Sequence, residues 1–529
     1  MDLRDGNQAL ANPMNTRRKG MFFDLLVDLG FKDIEVGYPS SSEADFDFVR
    51  KLIVEDRIPD DVTISVFTPA RPELIDRTFD ALRDCDQAVV HLCNATACLW
   101  REVVFGMTAQ EVHDMAVGSA EHMMRRADAA GGSLRFEYSP ETFNVTEPDF
   151  ALEISNAIAE VVDACPDRPL ILNLPTTVET DGPDVFADQV EWMHVNLDRR
   201  ESIILSVHPH NDRGTAVASA ELALLAGADR VEGTLFGNGE RTGNVCLATL
   251  AMNLVTRGVD AQLDFSDIDR TRAVVEQCNQ MPVPDRHPYV GSLVYTAFSG
   301  THQDAIAKGL AALEARARAE GKTAADLPWD VPYLPIDPRD VGRSYESVVR
   351  VNSQSGKGGI GYVLKSEYGF DLPRDLRVEF AQIVQGLTEG GDELTPAMLR
   401  KSFLDEYVRT TCPLRILALD DRPSMTVELP DGDRISLPVG DGLVSTLVKK
   451  LNARGYDISL DCLYGEDVLD ECVGGHEFVY ARVLVAGIGE WGVGRADGRE
   501  SAELVAAVSA VNRALTSMAA SLPGPAKPA

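Results

Sequence analysis

Short apolar runs alternate with longer amphipathic stretches over the first 240 residues of the chain. The short runs are rich in β-branched residues, whereas apolar positions recur every three to four residues in the longer stretches, which predicts strands separated by helices. The predicted strands span 33–40, 62–70, 88–96, 134–141, 170–177, 203–212 and 230–240, and the predicted helices span 16–30, 73–84, 109–131, 149–165, 185–197 and 216–228. Strands that alternate with helices form βαβ units and a parallel sheet.

An eighth strand is expected at the N-terminus, immediately before Asp5. Eight βα units in about 250 residues are the size of a (β/α)₈ TIM barrel, so we assign the fold class α/β and the barrel to residues 1–285. Only four residues precede Asp5, and a strand usually takes about 5–6. The first strand is therefore expected to be a stub, unless the reading frame starts upstream of Met1.

The pattern changes after the predicted barrel. Residues 286–420 mix helical stretches with a Pro- and Gly-rich segment, which predicts linker subdomains. From residue 421 to 520, a strand–turn–strand–helix pattern occurs twice, about 50 residues apart, and this predicts a C-terminal α+β domain with a duplicated ββα unit. Two copies of this unit are equally suited to binding a small effector and to forming a dimer interface. The last residues, 521–529, are predicted to be disordered.

Charge and cysteine content narrow the functional classes. The net charge of −33 argues against nucleic acid or an anionic membrane as a partner. No window of the sequence reaches the roughly 18 apolar residues of a membrane helix. The nine cysteines include no C-x-x-C pair, which predicts reduced thiols and a cytoplasmic location.

The segment SVHPHNDRGTA, residues 206–216, contains the main candidate for metal binding. Residues i and i+2 of a strand face the same way, so His208 and His210 are expected to enter the barrel mouth together, with Asp5 and Asn244 beside them. Two imidazoles, a carboxylate and an amide oxygen suit Mg²⁺, Mn²⁺, Co²⁺ or Zn²⁺ in a catalytic site. Alone, an H-x-H pair is as often two incidental loop histidines. Amidohydrolase-type barrels carry theirs on the first strand, so that class is disfavoured.

The other strand-end residues each have two interpretations. Glu137 and Glu141 are candidates for a functional carboxylate or for surface charges. His91 is either a pocket residue or a buried core histidine. The segment GNGERTG, residues 237–243, is only weakly similar to a phosphate-binding loop, because it lacks the spacing of either nucleotide motif.

Several motifs in a fixed order resemble the 2-isopropylmalate synthase family, in its longer bacterial and fungal form. They are LRDGNQ (3–8), HPHNDRGTA (208–216), LFGNGERTGN (235–244), FSGTHQDAI (298–306), PYLPIDPRDVGR (332–343) and VNSQSGKGG (351–359). The resemblance implies an acyltransferase that performs a metal-dependent Claisen condensation. Its substrates would be acetyl-CoA and 2-oxoisovalerate, and the reaction would be the first committed step of leucine biosynthesis.

The resemblance also implies a role for each matching residue. The metal, Mg²⁺ or Mn²⁺ with Zn²⁺ as a third candidate, would be bound by Asp5, His208 and His210, with Asn244 nearby. The 2-oxo acid would contact His91, Ser139 and Thr177. Catalysis would involve Arg4, which would stabilise the developing alkoxide, together with Glu141, His302 and Tyr345. Glu141 and His302 both remain candidates for the base that deprotonates acetyl-CoA.

A homodimer and feedback by leucine follow from the same resemblance. Leucine would bind the C-terminal domain, and His302 would come from the partner subunit. Three alternatives stay open: the same chemistry on another 2-oxo acid, as in citramalate or homocitrate synthases; a carbon–carbon lyase; and a catalytically silent leucine-binding protein.

Overall fold

The protein divides into two compact units. A computed structural model describes residues 1–85, 87–131, 134–297, 299–343, 357–388, 394–408, 410–417, 424–440, 442–466, 477–496 and 498–521. The first unit contains Met1–Val294 and Ile336–Arg343, and the second contains Tyr295–Pro335 and Ser344–Ala529. In the described residues, no helix is both long enough and apolar enough to cross a membrane.

A single parallel sheet forms the centre of the first unit, and its strands pair in chain order from first to last. All seven strands predicted between residues 33 and 240 are present, and the expected barrel-type α/β fold is confirmed. Because these strands are covered by helices, their side chains are almost all buried, as expected for a parallel sheet. The strands are β1 (Asp33–Gly37), β2 (Thr63–Pro69), β3 (Ala88–Ala95), β4 (Arg135–Glu141), β5 (Leu170–Thr176), β6 (Ile203–Pro209) and β7 (Arg230–Val231).

Helices follow the strands, and the six predicted helices are all present. The helix between β1 and β2 was not predicted from the sequence. It begins after Ser42, whose hydroxyl caps the helix by accepting a hydrogen bond from the Asp45 amide. The helices are α1 (Thr16–Asp28), α2 (Glu43–Val54), α3 (Pro72–Ala81), α4 (Ala109–Ala130), α5 (Pro148–Val161), α6 (Pro183–Asn196), α7 (Ala216–Leu225), α8 (Leu247–Thr256) and α9 (Ile268–Asn279).

Two expectations about the edges of the sheet are wrong. The predicted N-terminal strand is instead a π-helical turn, Asp2–Gly6, because the amides of Arg4 and Gly6 both donate to the Met1 carbonyl. The last strand pairs over only two residues, Arg230–Val231, and not over 230–240. Within the described part of this unit, no backbone ladder joins β7 to β1.

Helices and two small antiparallel sheets make up the second unit. Its helices before the sheets are α10 (Gly300–Glu320), α11 (Lys357–Tyr368), α12 (Arg374–Thr388) and α13 (Pro396–Tyr407). The duplicated C-terminal pattern is present, but each copy has one more strand than predicted. The copies are β8 (Arg415–Leu417), β9 (Ser424–Glu428), β10 (Arg434–Pro438) and α14 (Leu443–Asn452), then β11 (Ile458–Glu466), β12 (Glu477–Val485), β13 (Ile488–Ala496) and α15 (Arg499–Ser521).

Helix α15 packs closely on β13 because both elements carry small residues. A Cβ atom added at Gly494 would lie 1.8 Å from the carbonyl oxygen of Ala502, and one at Gly492 would lie 2.3 Å from that of Ala506. Ala502 and Ala506 recur four residues apart and so lie on one face of the helix. This seam therefore has no room for larger side chains. Residues 522–529, most of the predicted disordered tail, lie outside the described residues.

Candidate active site at the strand ends of the barrel

The carboxyl ends of the parallel strands surround a cavity of about 240 Å³. This is the end of such a sheet at which ligands bind. The cavity collects eight of the residues predicted from the sequence, from five different chain segments. They are Arg4, Asp5, His91, Ser139, Glu141, Thr177, His208 and His210.

Three buried side chains in this cavity have the geometry of a metal site. The Oδ2 atom of Asp5 lies 3.7 Å from Nε2 of His208 and 3.9 Å from Nε2 of His210. Ligand atoms that share an ion are at most about 4.2 Å apart, twice the usual metal–ligand distance. Among the described His, Cys, Asp and Glu residues, Asp5, His208 and His210 form the group of three whose donor atoms are close enough together to hold one ion.

Asn244 provides a test of whether these residues fit a cation. Its amide nitrogen donates to Oδ2 of Asp5 at 2.8 Å and to the Asn238 carbonyl at 3.0 Å, which fixes the amide oxygen towards His208. That oxygen lies 2.7 Å from Nε2 of His208, while Nδ1 of the same ring faces Glu232 at 3.1 Å. Both ring nitrogens thus face oxygen acceptors, an arrangement that needs either a doubly protonated ring or a cation beside Nε2.

The pKa values of the two histidines are shifted in opposite directions. Burial alone would lower the pKa of His208, but the neighbouring carboxylates of Asp5 and Glu232 raise this pKa to about 9. Burial and the neighbouring His208 lower the pKa of His210 to about 4, so this ring is neutral and can donate a lone pair. Its Nδ1 atom is buried and has no hydrogen-bond partner among the described residues. The residues therefore fit a divalent cation in place of the proton on His208.

A second group of polar side chains lies beside the histidines. Arg4 forms an ion pair with the carboxylate of Glu35, and its Nη1 atom lies 3.0 Å from Oδ1 of Asp5. The other oxygen of Glu35 lies 2.8 Å from Nδ1 of His91, and Nε2 of His91 lies 2.7 Å from the hydroxyl of Ser139. These contacts hold the Arg4 guanidinium and the His91 ring in fixed orientations in the cavity wall.

Glu141 and Thr177 complete the cavity at the ends of β4 and β5. Burial raises the pKa of Glu141, as suits a carboxylate that acts as a base. The Thr177 hydroxyl oxygen accepts a hydrogen bond from the Thr142 amide at 2.8 Å, so its own proton is available to an acceptor in the cavity. Both side chains therefore line the cavity, and their roles stay predictions.

Two interior carboxylates orient the site residues: the sequence places Glu35 at a strand end without assigning it a role, and it gives no role to Glu232. Glu35 and Glu232 are 4% exposed and contact His91 and His208, respectively. Carboxylates that accept from the second ring nitrogen of a metal-binding histidine fix its tautomer and orientation. The available signal was a glutamate that directly follows a β-branched residue in each strand segment, DIEVG and RVEGT. Nearby, burial and the Glu232 charge raise the pKa of Glu137 well above its usual range.

Two residues with predicted catalytic roles follow the predicted barrel segment, 1–285, in the sequence. His302 belongs to α10 in the second unit, where its ring stacks on that of Tyr333 with centroids 3.9 Å apart. Tyr333 has a left-handed backbone, with φ of +74°, and was not recognised from the sequence. Tyr345 lies outside the described residues.

The fold and this site define the class of protein. Residues 1–275 match the family described as HMGL-like, and residues 292–365 match the family described as alpha-isopropylmalate synthase, post-catalytic domain-like. The chain is 50% identical to the 2-isopropylmalate synthase of Mycobacterium ulcerans, over 97% of this chain and 93% of that one. It is 51% identical to the 2-isopropylmalate synthase of Kineococcus radiotolerans, over 97% and 92% of the two chains.

Among solved structures, the HMG-CoA lyase of Brucella melitensis aligns with 53% of this chain and 97% of its own, at 19% identity and a TM-score of 0.42. From the full-length relatives, the chain belongs to the 2-isopropylmalate synthase family. The predicted enzyme class, an acyltransferase of leucine biosynthesis, is thereby confirmed.

Proposed function

We propose that this chain condenses acetyl-CoA with 2-oxoisovalerate and water to give 2-isopropylmalate and CoA, with Mg²⁺ or Mn²⁺ bound by Asp5, His208 and His210. The observation that carries the proposal is the convergence of this triad with Arg4 and Glu141 on one cavity. When bound, the cation would act as a Lewis acid on the carbonyl of the 2-oxo acid. Asn244 is proposed as a further oxygen donor beside the triad.

The remaining side chains supply binding and orientation. The Thr177 hydroxyl is proposed to donate to the carboxylate of the 2-oxo acid, and His91 and Ser139 to line the pocket for its side chain. The guanidinium of Arg4 is held by Glu35, so it is fixed before substrate arrives. We assign it to the oxygen that gains negative charge when C2 of the 2-oxo acid is attacked, because a preorganised donor lowers the barrier without reorganisation.

A base must remove a proton from the acetyl methyl group to make the carbon nucleophile. Glu141 is the proposed base within the barrel, since burial raises its pKa from that of an ordinary glutamate. His302 is the second candidate, contributed by the partner subunit of a dimer. The carbanion then attacks C2, the new alcohol oxygen takes a proton, and hydrolysis of the thioester releases CoA.

Release of free thiol from acetyl-CoA tests this proposal directly. The purified chain is assayed with 2-oxoisovalerate, pyruvate, 2-oxobutyrate and 2-oxoglutarate, each with and without Mg²⁺ or Mn²⁺. We expect metal-dependent release that is fastest with 2-oxoisovalerate and is lost in His210→Ala. His113→Ala, in α4 and outside the residues that line the cavity, is the matched control and should retain activity. Preference for another acid would change the substrate, and no release with any acid would refute the proposal.

Apolar residues on three successive loops support a homodimer. The loops follow β3, β4 and β5 at the same end of the barrel, and large exposed apolar patches on soluble proteins commonly mark association sites. The exposed residues are Leu99, Val103, Val104, Phe105, Val145 and Val178. By sedimentation, Val103→Asp should shift the chain towards monomer, whereas Leu225→Asp on the outer helix α7 should not. An unchanged dimer in Val103→Asp would remove this loop from the interface.

Leucine is the proposed feedback effector, with residues 421–520 as the regulatory domain and 286–420 as the linker. The support is the repeated βββα unit, because two similar units can form a site for a small ligand. Adding leucine to the thiol-release assay should lower the rate in the full-length chain. An unchanged rate at saturating leucine would refute this part of the proposal.

A further inference from the structure

The loop of residues 237–243, GNGERTG, lies between two cavities of the first unit. Arg241 lines both the cavity that contains the histidines and a second cavity of about 220 Å³ on the other side of the loop. Its backbone is in the left-handed region, with φ of +55°. A non-glycine residue seldom adopts this conformation, and such residues cluster where the surrounding contacts force it.

The contacts that hold Arg241 come from its guanidinium group. Its Nε atom donates to Oδ1 of Asp212 at 2.7 Å. Its Nη2 atom donates to Oδ2 of Asp212 at 3.0 Å and to the Thr177 carbonyl at 2.6 Å. Asp212 also accepts from the Glu179 amide at 2.9 Å. A two-point arginine–carboxylate pair fixes geometry as well as charge. One side chain thus connects the loops that follow β5, β6 and β7.

The same loop leads directly to the proposed metal ligands. The Asn211 amide donates to the Gly243 carbonyl at 3.0 Å, and His210 and Asn244 form an antiparallel backbone bridge. Asn244 then places its side-chain oxygen 2.7 Å from Nε2 of His208. The position of the loop therefore decides where Asn244 meets the two histidines.

We propose that Arg241 and Asp212 are positioning residues that hold loop 237–243 against the ends of β5 and β6, so that Asn244, His208 and His210 keep their mutual geometry. The inference rests on the proposed function, in which these residues bind a divalent cation. Neither Arg241 nor Asp212 is assigned to the cation or to the reacting atoms. Groups that orient metal ligands in this way typically change metal affinity by about 10- to 100-fold when they are removed.

Binding of Mn²⁺ to the purified full-length chain, followed by the loss of the free-ion electron paramagnetic resonance signal, tests the proposal. We expect Arg241→Met and Asp212→Asn each to weaken Mn²⁺ binding by about 10- to 100-fold. The double variant should bind Mn²⁺ no more weakly than Arg241→Met, because both substitutions break the same Arg241–Asp212 pair. Arg241→Lys, which can make only one of the two bonds to Asp212, should recover part of the affinity. Arg270→Met breaks the exposed pair with Asp28 and is the matched control, with wild-type affinity.

Amide hydrogen exchange of residues 235–246 without metal is the second measurement. Exchange should be faster in Arg241→Met than in wild type and unchanged in Arg270→Met, with closely similar melting temperatures for all three proteins. If Arg241→Met shows both wild-type Mn²⁺ affinity and wild-type exchange, the positioning role is overturned and the proposed metal site still stands. Wild-type protein that binds no Mn²⁺ would refute the proposed metal site, and unchanged exchange in the variant would then also overturn the positioning role.

Discussion

The two units of this protein differ in the kind of side chain that they bury. In the first unit, charged residues lie inside the barrel, among them Glu35, Glu137 and Glu232 at 4%, 0% and 4% exposure. Every buried Asp, Glu, Lys or Arg that the structure describes belongs to this unit. In the described residues of 424–521, the buried polar side chains are only Ser509 and Asn512. The second unit instead buries aliphatic side chains and packs α15 on β13 through glycine and alanine.

Burying a charge is costly unless it is paired, so it persists where it has a use other than stability. The barrel carboxylates each contact a group in the cavity or a group behind it. The second unit contains a comparable cluster, in which Arg513 contacts Glu379, Glu406 and Glu490 near its surface. This contrast indicates that the barrel interior is specialised for chemistry and that the C-terminal unit is specialised for packing. The following variants test that division.

The largest expected effect is the loss of metal binding in Asp5→Asn. The substitution keeps the shape of the side chain but removes the charge that lies within 4 Å of both histidines. Since outer groups alone contribute about 10- to 100-fold, loss of a ligand should weaken Mn²⁺ binding by more than about 100-fold, as measured by isothermal titration calorimetry. Asp61→Asn, an exposed residue, is the control. Wild-type affinity in Asp5→Asn would exclude the proposed site.

Gly494→Ala should have the largest effect on stability. The new methyl group would meet the Ala502 carbonyl oxygen, at 1.8 Å before any relaxation. Overpacking of this kind costs about 1–3 kcal/mol, and such a close backbone contact places it near the upper value. Denaturant unfolding should show this loss, while Mn²⁺ affinity of the folded protein stays unchanged.

Gly386→Ala in α12 is the matched control, because an added Cβ atom there has no neighbour within 4 Å. This exposed helical site should gain about 0.5–1 kcal/mol from the better helix propensity of alanine. Equal losses in both variants would mean that the seam between α15 and β13 is not tightly packed.

Glu232→Gln tests the interior carboxylates of the barrel with a smaller change. The neutral amide can still face Nδ1 of His208, but it no longer supplies the negative charge that keeps the ring oriented and basic. We expect Mn²⁺ affinity to fall by about 10- to 100-fold, measured by calorimetry, with a small change in melting temperature. Glu153→Gln, exposed on α5, should leave both unchanged. A large loss of stability without a loss of affinity would assign Glu232 to the core alone.

Arg513→Met should destabilise the second unit and leave the metal site unaffected. Removing the cation leaves three carboxylates around a methionine, beside the ring of Tyr407. Breaking a fully buried pair costs about 3–5 kcal/mol, but Glu406 is 41% exposed, so we expect about 1–3 kcal/mol by denaturant unfolding. Arg499→Met, whose pair with Glu503 is exposed, is the control. An unchanged midpoint in Arg513→Met would show that the cluster contributes little.

The sequence located the strands well because a buried parallel strand is a short apolar run between turn residues. It also predicted that His208 and His210 share a direction, because strand side chains alternate. The helix α2 was missed, since its first apolar residue follows three polar or small positions, Glu43, Ala44 and Asp45. The N-terminal strand was predicted from barrel size alone, and the local hydrogen bonds of residues 1–6 favour a turn.

The sequence by itself determined the order of strands and helices and the duplicated C-terminal unit, and it predicted eight residues that line the cavity, because these depend on local periodicity and on motifs within a few residues. Only the tertiary structure decided which charges meet. Glu232 reaches His208 from 24 residues away, and Arg241 joins loops that follow three different strands. Such contacts depend on the register of neighbouring strands and on the paths of the loops, and neither leaves a periodic signal along the chain.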